Sequence, residues 1–169
     1  NLSRVQGPNA SALSPNDVRF LVSLDILRER WGDQDEVSSK RPAFVLLTDV
    51  NDVALRRDPF QFMRLMSAQY DLFVGDEHDG SMAYMLDVLY RCYRSPEERK
   101  AIRSSGTIFN TGVIGGKFEA VMWLLESMVR ELTSLSKRHH GLPSNVCDMA
   151  VFNRILWDLV THKAFANAR

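Results

Sequence analysis

Residues 43–47 read A-F-V-L-L, a continuous apolar run that ends abruptly in T-D-V-N-D at residues 48–52. A short apolar run bounded by polar residues is typical of a strand covered on both faces, as in a mainly parallel sheet. Two aspartates, Asp49 and Asp52, follow the predicted strand. Because open α/β sheets bind ligands beyond the carboxyl ends of their strands, we expect this segment to border a binding crevice.

The elements around this run predict an α/β domain with a mainly parallel sheet flanked by helices. Predicted strands cover residues 44–47, 72–74 and 108–114, and predicted helices precede, separate and follow them. Such alternation of strands and helices indicates a layered α/β architecture. Residues 1–13 predict an irregular lead-in and residues 14–169 a single domain. The side chains expected to be buried in the sheet are those of Val45, Leu47, Phe73 and Val113.

Composition narrows the classes of function. Twenty-one basic residues balance twenty-one acidic ones, so no net charge attracts nucleic acid, and no nucleic-acid partner is expected. The sequence contains no apolar run long enough for a transmembrane helix, so no membrane span is expected. Cys92 and Cys147 lack metal-site spacing and are predicted to be buried free thiols. The compartment stays open between the secretory pathway, including the Golgi, and the cytoplasm.

The chemistry expected at residues 48–52 is cation binding. Asp49, Asn51 and Asp52 form a compact group of oxygen ligands, which Mg²⁺ and Mn²⁺ prefer. Such metals bind through one or two carboxylates plus substrate phosphates, and they neutralise a diphosphate leaving group. The alternative is an ordinary polar turn before the helix that residues 58–59 predict.

Two later segments carry comparable features. Residues 109–116 read F-N-T-G-V-I-G-G, which places an amide and glycines on a strand where the backbone approaches another group closely or bulges. Residues 147–153 read C-D-M-A-V-F-N, with Asp148 in the first turn of a helix. The alternative there is a favourable charge at a helix N-terminus.

Taken together and in this order, the three segments resemble the GT-A glycosyltransferases. That family has a D-x-D motif or a D-x-x-D variant after a core strand, then a strand of the form F-N-x-G-V-x-G, then a helix beginning D-x with a later asparagine. The run T-D-V-N-D-V at residues 48–53, followed by R-D-P-F at residues 57–60, is especially similar to a segment of such proteins. The resemblance covers roughly residues 18–157.

The resemblance implies a fold, a reaction and roles for residues. It implies a nucleotide-diphospho-sugar transferase fold that moves a sugar from a nucleotide-diphosphate donor to a sugar, protein or lipid acceptor, using Mn²⁺ or Mg²⁺. Asp52 and Asp49 would bind the metal, and Asp49, Asn51 and Gly112 would contact the donor. Asn110 and Asp148 would be catalytic, beside the acceptor or the transferred sugar. If so, the candidate side chains should line one cleft.

Two departures from the family pattern modify these expectations. No β-α-β unit that would hold the nucleotide base precedes residue 18, and only His162 follows the last motif as a late histidine. The chain is therefore expected to be a piece of a larger transferase domain, and the piece itself could be inactive. Asn51 stands where a strict D-x-D has its second aspartate, which makes Asp52 the better candidate for direct metal contact.

Other readings stay open. A phosphatase of the haloacid-dehalogenase kind would use Asp49 as nucleophile and Asp76 for Mg²⁺, but Asn51 replaces its general acid and the motifs lie close together. A transferase-like binding domain without activity is a further alternative. Residues 75–79, G-D-E-H-D, follow a predicted strand and either share the site or form a solvated turn. Donor sugar, acceptor and stereochemical outcome do not follow from the sequence.

Overall fold

A computed structural model describes residues 13–32, 41–49, 52–77, 82–93, 95–96, 108–138 and 147–162. Within these ranges, helices alternate with strands, as predicted, and the α/β class is confirmed. The elements in chain order are helix α1 (Pro15–Trp31), strand β1 (Phe44–Thr48), helix α2 (Pro59–Met66), strand β2 (Leu72–Asp76), helix α3 (Met82–Cys92), strand β3 (Phe109–Lys117), helix α4 (Phe118–Arg138) and helix α5 (Asp148–His162). All three predicted strands are present.

The prediction of a mainly parallel sheet is wrong. The described strands form one sheet in the order β1-β3-β2, and β3 is antiparallel to both of its neighbours. A continuous apolar run indicates a strand, but it carries no information on the direction of its neighbour. Since β1 and β2 flank β3 and both oppose it, they run in the same direction and end at the same edge of the sheet.

Strand β3 is irregular within the F-N-T-G segment. Val74 of β2 pairs with Ile114, whereas the next residue, Gly75, pairs with Asn110. Three residues of β3 therefore lie between the partners of two consecutive residues of β2. Bulges of this kind bend a strand and redirect its side chains, and they are over-represented beside active sites.

The core lies between the sheet and helices α1, α3, α4 and α5. Helix α4 supplies its largest share, including Leu124, Leu125 and Met128, which have no exposed surface. Burial of a side chain of this size contributes roughly 1.5–3 kcal/mol. Of the four side chains predicted to be buried, Val45 is buried, while Leu47, Phe73 and Val113 remain partly exposed. Leu47 and Phe73 lie on β1 and β2, which are edge strands without a neighbouring described strand on one side, and Val113 adjoins the bulge.

Helix α1 begins at the sequence S-P-N-D of residues 14–17, in which the serine suits a helix cap and the proline the first helical position. Ser14 is its N-cap and Pro15 its first residue, and the side chains of Ser14 and Asp17 form a reciprocal capping box. Asp17 is nevertheless fully buried, which a capping role alone does not require.

The prediction of free thiols is also wrong. Cys92, at the end of α3, and Cys147, immediately before α5, form a disulfide with their Cα atoms 5.9 Å apart. A sequence separation of 55 gives no sign of this contact, which arises because α3 packs against α5. Neither sulfur is accessible, since both residues are buried.

None of the helices in the described ranges is both long and apolar enough to cross a membrane. Of the predicted irregular lead-in at residues 1–13, residues 1–12 lie outside the described ranges.

Candidate functional site

The candidate site lies at the edge of the sheet where β1 and β2 end and β3 begins. The backbone N–H of Asp49 donates to the carbonyl of Gly112 over 2.8 Å, which extends the β1–β3 pairing by one residue. On the other side, the N–H of Glu77 donates to the carbonyl of Ile108 over 2.9 Å. Acidic residues from two strands thereby flank the F-N-T-G segment of the third.

The first part of the site is a pair of oxygens beside Gly112, Asn110 Oδ1 and Asp49 Oδ2, which we call the cradle. A methyl group placed on Gly112 would lie 2.7 Å from Asn110 Oδ1 and 2.8 Å from Asp49 Oδ2. Only glycine leaves room for both oxygens at this point. The Asn110 amide oxygen accepts from the Gly112 N–H, and its amide nitrogen donates to Glu77. Asn110 is therefore oriented with its oxygen beside the carboxylate of Asp49.

The second part is Arg19 of helix α1, which joins the site to helix α5. One terminal nitrogen, Nη1, forms an ion pair with Asp49 Oδ1. The other, Nη2, lies 2.8 Å from Asp148 Oδ2 and donates to the Thr111 hydroxyl over 2.9 Å. One guanidinium thus contacts all three segments that the sequence singled out: residues 48–52, 109–116 and 147–153.

Asp148 lies beneath Arg19 with only 2% of its side chain exposed. Its Oδ1 accepts from the N–H of Met149 over 2.7 Å, and its Oδ2 accepts from the Thr111 hydroxyl over 3.3 Å. Burial raises the pKa of the Asp148 carboxyl, and these hydrogen bonds and the charge of Arg19 offset that effect only in part. The carboxylate is held in place by contacts on both oxygens.

Asp17 is a second buried carboxyl behind Asp148. It accepts from the backbone N–H and hydroxyl of Ser14, and from the N–H of Cys147 over 3.2 Å, which ties α1 to the start of α5. Burial raises the pKa of Asp17, and the charge of Asp148 raises it further. The protein therefore keeps two interacting carboxyl groups in its interior at this end of the sheet.

Asn153 fixes the start of β3 on α5. Its amide accepts from the Phe109 N–H over 2.7 Å and donates to the Phe109 carbonyl over 2.9 Å. It also donates to the Met149 carbonyl over 2.8 Å, and it is fully buried. Asn153, the late asparagine of the third segment, therefore has a structural role: it fixes the position of the F-N-T-G segment against α5.

The structure brings together four of the candidate residues, which are Asp49, Asn110, Gly112 and Asp148. Asp52 is exposed, three residues beyond Asp49, and takes no part in this network. Asn51 lies outside the described residues. Arg19 was missed, because a single arginine in an amphipathic helix carries no sequence signal that separates it from a solvated one.

The described residues of the site supply too few ligands to hold a divalent metal alone. A metal bound there would take most of its ligands from phosphates and water. Within the described ranges, no group of three or more histidine, cysteine or acidic side chains is arranged to hold a metal ion. The cradle nevertheless places a carboxylate oxygen and an amide oxygen at one point, and these are the hard ligands that Mg²⁺ and Mn²⁺ select. Both metals usually complete their coordination with phosphates and water.

The described residues also line cavities that lie away from this network. A cleft of about 540 Å³ separates the end of α1 from the start of α4, and its wall includes Arg28, Arg41 and Glu119. A smaller one of about 230 Å³ lies between α4 and α5. Neither is lined by any of the candidate residues.

Comparison of the chain with models of protein families, with curated proteins and with solved structures gives no match.

Proposed function

We propose that the chain carries the donor site of a nucleotide-sugar-dependent glycosyltransferase of the GT-A type. The observation that supports this proposal is the network around Arg19, which joins Asp49, Thr111 and Asp148. A polar turn, a bulge and a helix cap have no physical reason to meet at one guanidinium. Their convergence is what a shared site requires, whereas fold alone says little about function.

In this proposal, Asp49 and Asp52 would hold a divalent metal, Mn²⁺ or Mg²⁺, and the amide oxygen of Asn110 lies beside Asp49. When bound, the metal neutralises the charge that develops on the diphosphate leaving group. Gly112 lets the donor approach the backbone of β3, because a side chain there would fill the cradle. Asp148 is almost inaccessible, so its role is to hold Arg19 and Thr111 in position rather than to contact the sugar.

The test is metal-dependent hydrolysis and transfer on a panel of nucleotide sugars, with Asp49→Asn and Asp52→Asn as variants. Each replacement keeps the volume and removes the charge, so folding is expected to survive. Loss of a contact to the metal should lower the rate roughly a hundredfold, since each ~1.4 kcal/mol is tenfold. Asp25→Asn is the matched control, because Asp25 is an exposed aspartate on α1. Full Mn²⁺-dependent turnover by Asp52→Asn would refute its metal role.

A second candidate is a transferase-like domain that binds a nucleotide sugar without turning it over. The observation in its favour is that Asp49 is already ion-paired with Arg19, and that Asp148 is covered. Calorimetry separates the two candidates: binding of a nucleotide sugar with no product after long incubation supports the binding domain. Release of phosphate from simple phosphate monoesters would instead favour a phosphatase.

A further inference from the structure

Strand β1 lies at an edge of the sheet, although its sequence is typical of a central strand. Among the described strands it has β3 as its neighbour on one side only, and residues 43–47 carry apolar side chains alone. Continuous apolar runs belong to strands with neighbours around them, whereas exposed edge strands are usually protected by charges, proline or a bulge. Residues 44–48 contain none of these three features and pair with β3 in an unbroken register. The outer edge of β1 is therefore suited to a further strand.

The backbone groups along this edge point outward. The N–H of Asp49 donates to the carbonyl of Gly112, so the backbone of Asp49 faces β3. Backbone groups alternate in direction along an antiparallel strand, and those of Phe44, Leu46 and Thr48 therefore face away from β3. None of the described residues hydrogen-bonds to these outward groups.

Strand β2, at the opposite edge of the sheet, is protected. The register between β2 and β3 shifts between Val74 and Gly75, where β3 bulges. Asp76 is exposed at the end of β2, and Asp71, just before the strand, forms an ion pair with Lys117. Bulges and charges are devices that keep edge strands from pairing. Pairing at β1 is therefore expected to stop at two chains, because it uses the one open edge of the described sheet.

The outward groups of β1 are self-complementary. They are spaced evenly about Leu46, so a second β1 turned about a two-fold axis at Leu46 runs antiparallel to the first. This register places Leu46 opposite Leu46 and Phe44 opposite Thr48. Each of these residues then exchanges its N–H and C=O with the residue opposite, which gives about six hydrogen bonds between the copies. Since residues 44–48 carry no charge, no like charges face each other in this register.

The charges at the two ends of β1 favour the same arrangement. Arg41, before β1, contacts Glu119 of α4. Asp49, after β1, contacts Arg19 of α1, so both charges lie on the face of the sheet that the helices cover. In the two-fold register, Asp49 of one copy lies opposite Ala43 of the other, with Arg41 as its diagonal neighbour. Opposite charges at such positions stabilise strand pairing when one side chain is long.

We propose that the protein forms a dimer in which β1 pairs with β1 of a second copy, antiparallel about a two-fold axis at Leu46. The two sheets then form one continuous sheet through both copies. This inference does not rest on the proposed function, because it uses the backbone of β1 and the charges at its ends. A single pair of strands buries less surface than an ordinary stable interface, so we expect a dissociation constant on the order of 1–10 µM.

The experiment is analytical ultracentrifugation of the full chain over a range of concentrations. Leu46→Lys and Leu46→Glu each place like charges opposite each other at the two-fold axis and remove the apolar contact there. Each variant alone should therefore dimerise roughly tenfold more weakly than wild type. An equimolar mixture of the two variants places lysine opposite glutamate and should restore the dimer.

Phe73→Lys is the matched control. Phe73 pairs with Gly115 from β2, as Leu46 pairs with Gly115 from β1, so the same charge enters the same face of the sheet at the protected edge. Phe73→Lys should dimerise like wild type. Circular dichroism verifies that each variant is folded before its mass is compared.

Thr48→Pro keeps the inference testable if the Leu46 variants do not fold. Thr48 is exposed and its N–H points away from β3, so proline removes a donor between the copies and none within the sheet. Weaker dimerisation is expected. Dimerisation of Thr48→Pro at wild-type strength overturns the inference.

Two other results overturn it as well. A wild type that stays monomeric at about 100 µM would leave the edge of β1 to a strand of a different chain. Charge variants that remain monomeric when mixed, beside a dimeric wild type, would exclude pairing about Leu46. Neither result bears on the donor site, since turnover of nucleotide sugars is measured separately.

Discussion

Helix α1 carries two arginines that pair with carboxylates on other elements, and their surroundings differ sharply. Arg28 meets Glu126 at 2.8 Å where both side chains are about half exposed, at 52% and 45%. Arg19, nine residues earlier, meets Asp49 and a nearly inaccessible Asp148. Water screens the Arg28–Glu126 pair, whereas the contact of Arg19 with Asp148 is largely shielded from water. The same residue type on one helix is thus a solvated charge at one end and the centre of a partly buried polar network at the other.

The largest expected effect comes from the disulfide behind the Arg19 end of the helix. Replacing Cys92 and Cys147 together by alanine should lower the free energy of unfolding by about 4 kcal/mol, the chain-entropy estimate for a separation of 55 residues. Urea denaturation followed by tryptophan fluorescence measures the change. Reductant should destabilise the wild type and leave the variant unaffected. A loss below about 1 kcal/mol would show that packing alone holds α5 in place.

The two arginines should differ when each is removed. Arg19→Ala leaves Asp148 buried without its cation and should destabilise the protein by about 3 kcal/mol. Arg28→Ala breaks an exposed pair and should change stability by no more than about 1 kcal/mol. The same denaturation experiment measures both. Equal losses in the free energy of unfolding would mean that the difference in burial between the two ion pairs has no energetic effect.

Two glycines offer a matched comparison at the site itself. Gly112→Ala places a methyl group against Asn110 Oδ1 and Asp49 Oδ2 and should cost about 1–3 kcal/mol. At Gly75, the nearest atoms to an added methyl lie at ordinary contact distances of 3.6 and 3.8 Å, so Gly75→Ala should be close to neutral. Tolerance of Gly112→Ala with unchanged Mn²⁺ affinity would show that the cradle is not used.

The smallest effect concerns pH and the buried carboxyl behind Arg19. The pKa of Asp17 is raised above its ordinary value of 3.8, so the folded state holds its proton more tightly than the unfolded chain. The contribution of Asp17 to stability should therefore fall as the pH rises from about that value through its raised pKa. Asp17→Asn does not titrate, so the stability of wild type minus that of the variant should decline over this window. A flat difference in urea unfolding between acid and neutral pH would contradict this.

The sequence predicts the local elements of this fold well. Apolar runs with sharp polar boundaries place β1, β2 and β3, and S-P-N-D at residues 14–17 places the start of α1. These signals are local, since they depend on burial of a strand and on capping of a helix. Strand direction is set by the packing of distant segments, and the antiparallel β3 left no trace in the composition of its neighbours.

The residues of the candidate site likewise divide into those that have a local sequence signal and those that depend on distant contacts. Asp49 stands out just after a strand, Asp148 at the start of a helix, and Asn110 and Gly112 as an amide and a glycine within β3, and the structure brings the four together. Arg19 and the partner of Cys147 do not stand out, because each depends on a contact between segments far apart in sequence. A charge in a helix is usually solvated, and only the fold shows that Arg19 pairs with two carboxylates from distant segments.

The Cys92–Cys147 cross-link has a consequence for how the protein must be prepared and where it can mature. Disulfides form and persist in oxidising compartments, and a reducing cytosol would leave two buried thiols next to Asp148. Since Cys147 immediately precedes the helix that carries Asp148, the redox history of a sample decides whether the disulfide adds to the contacts that hold that helix when the site is assayed. An inactive sample from a reducing host should therefore be oxidised and assayed again before the lack of activity is assigned to the residues of the site.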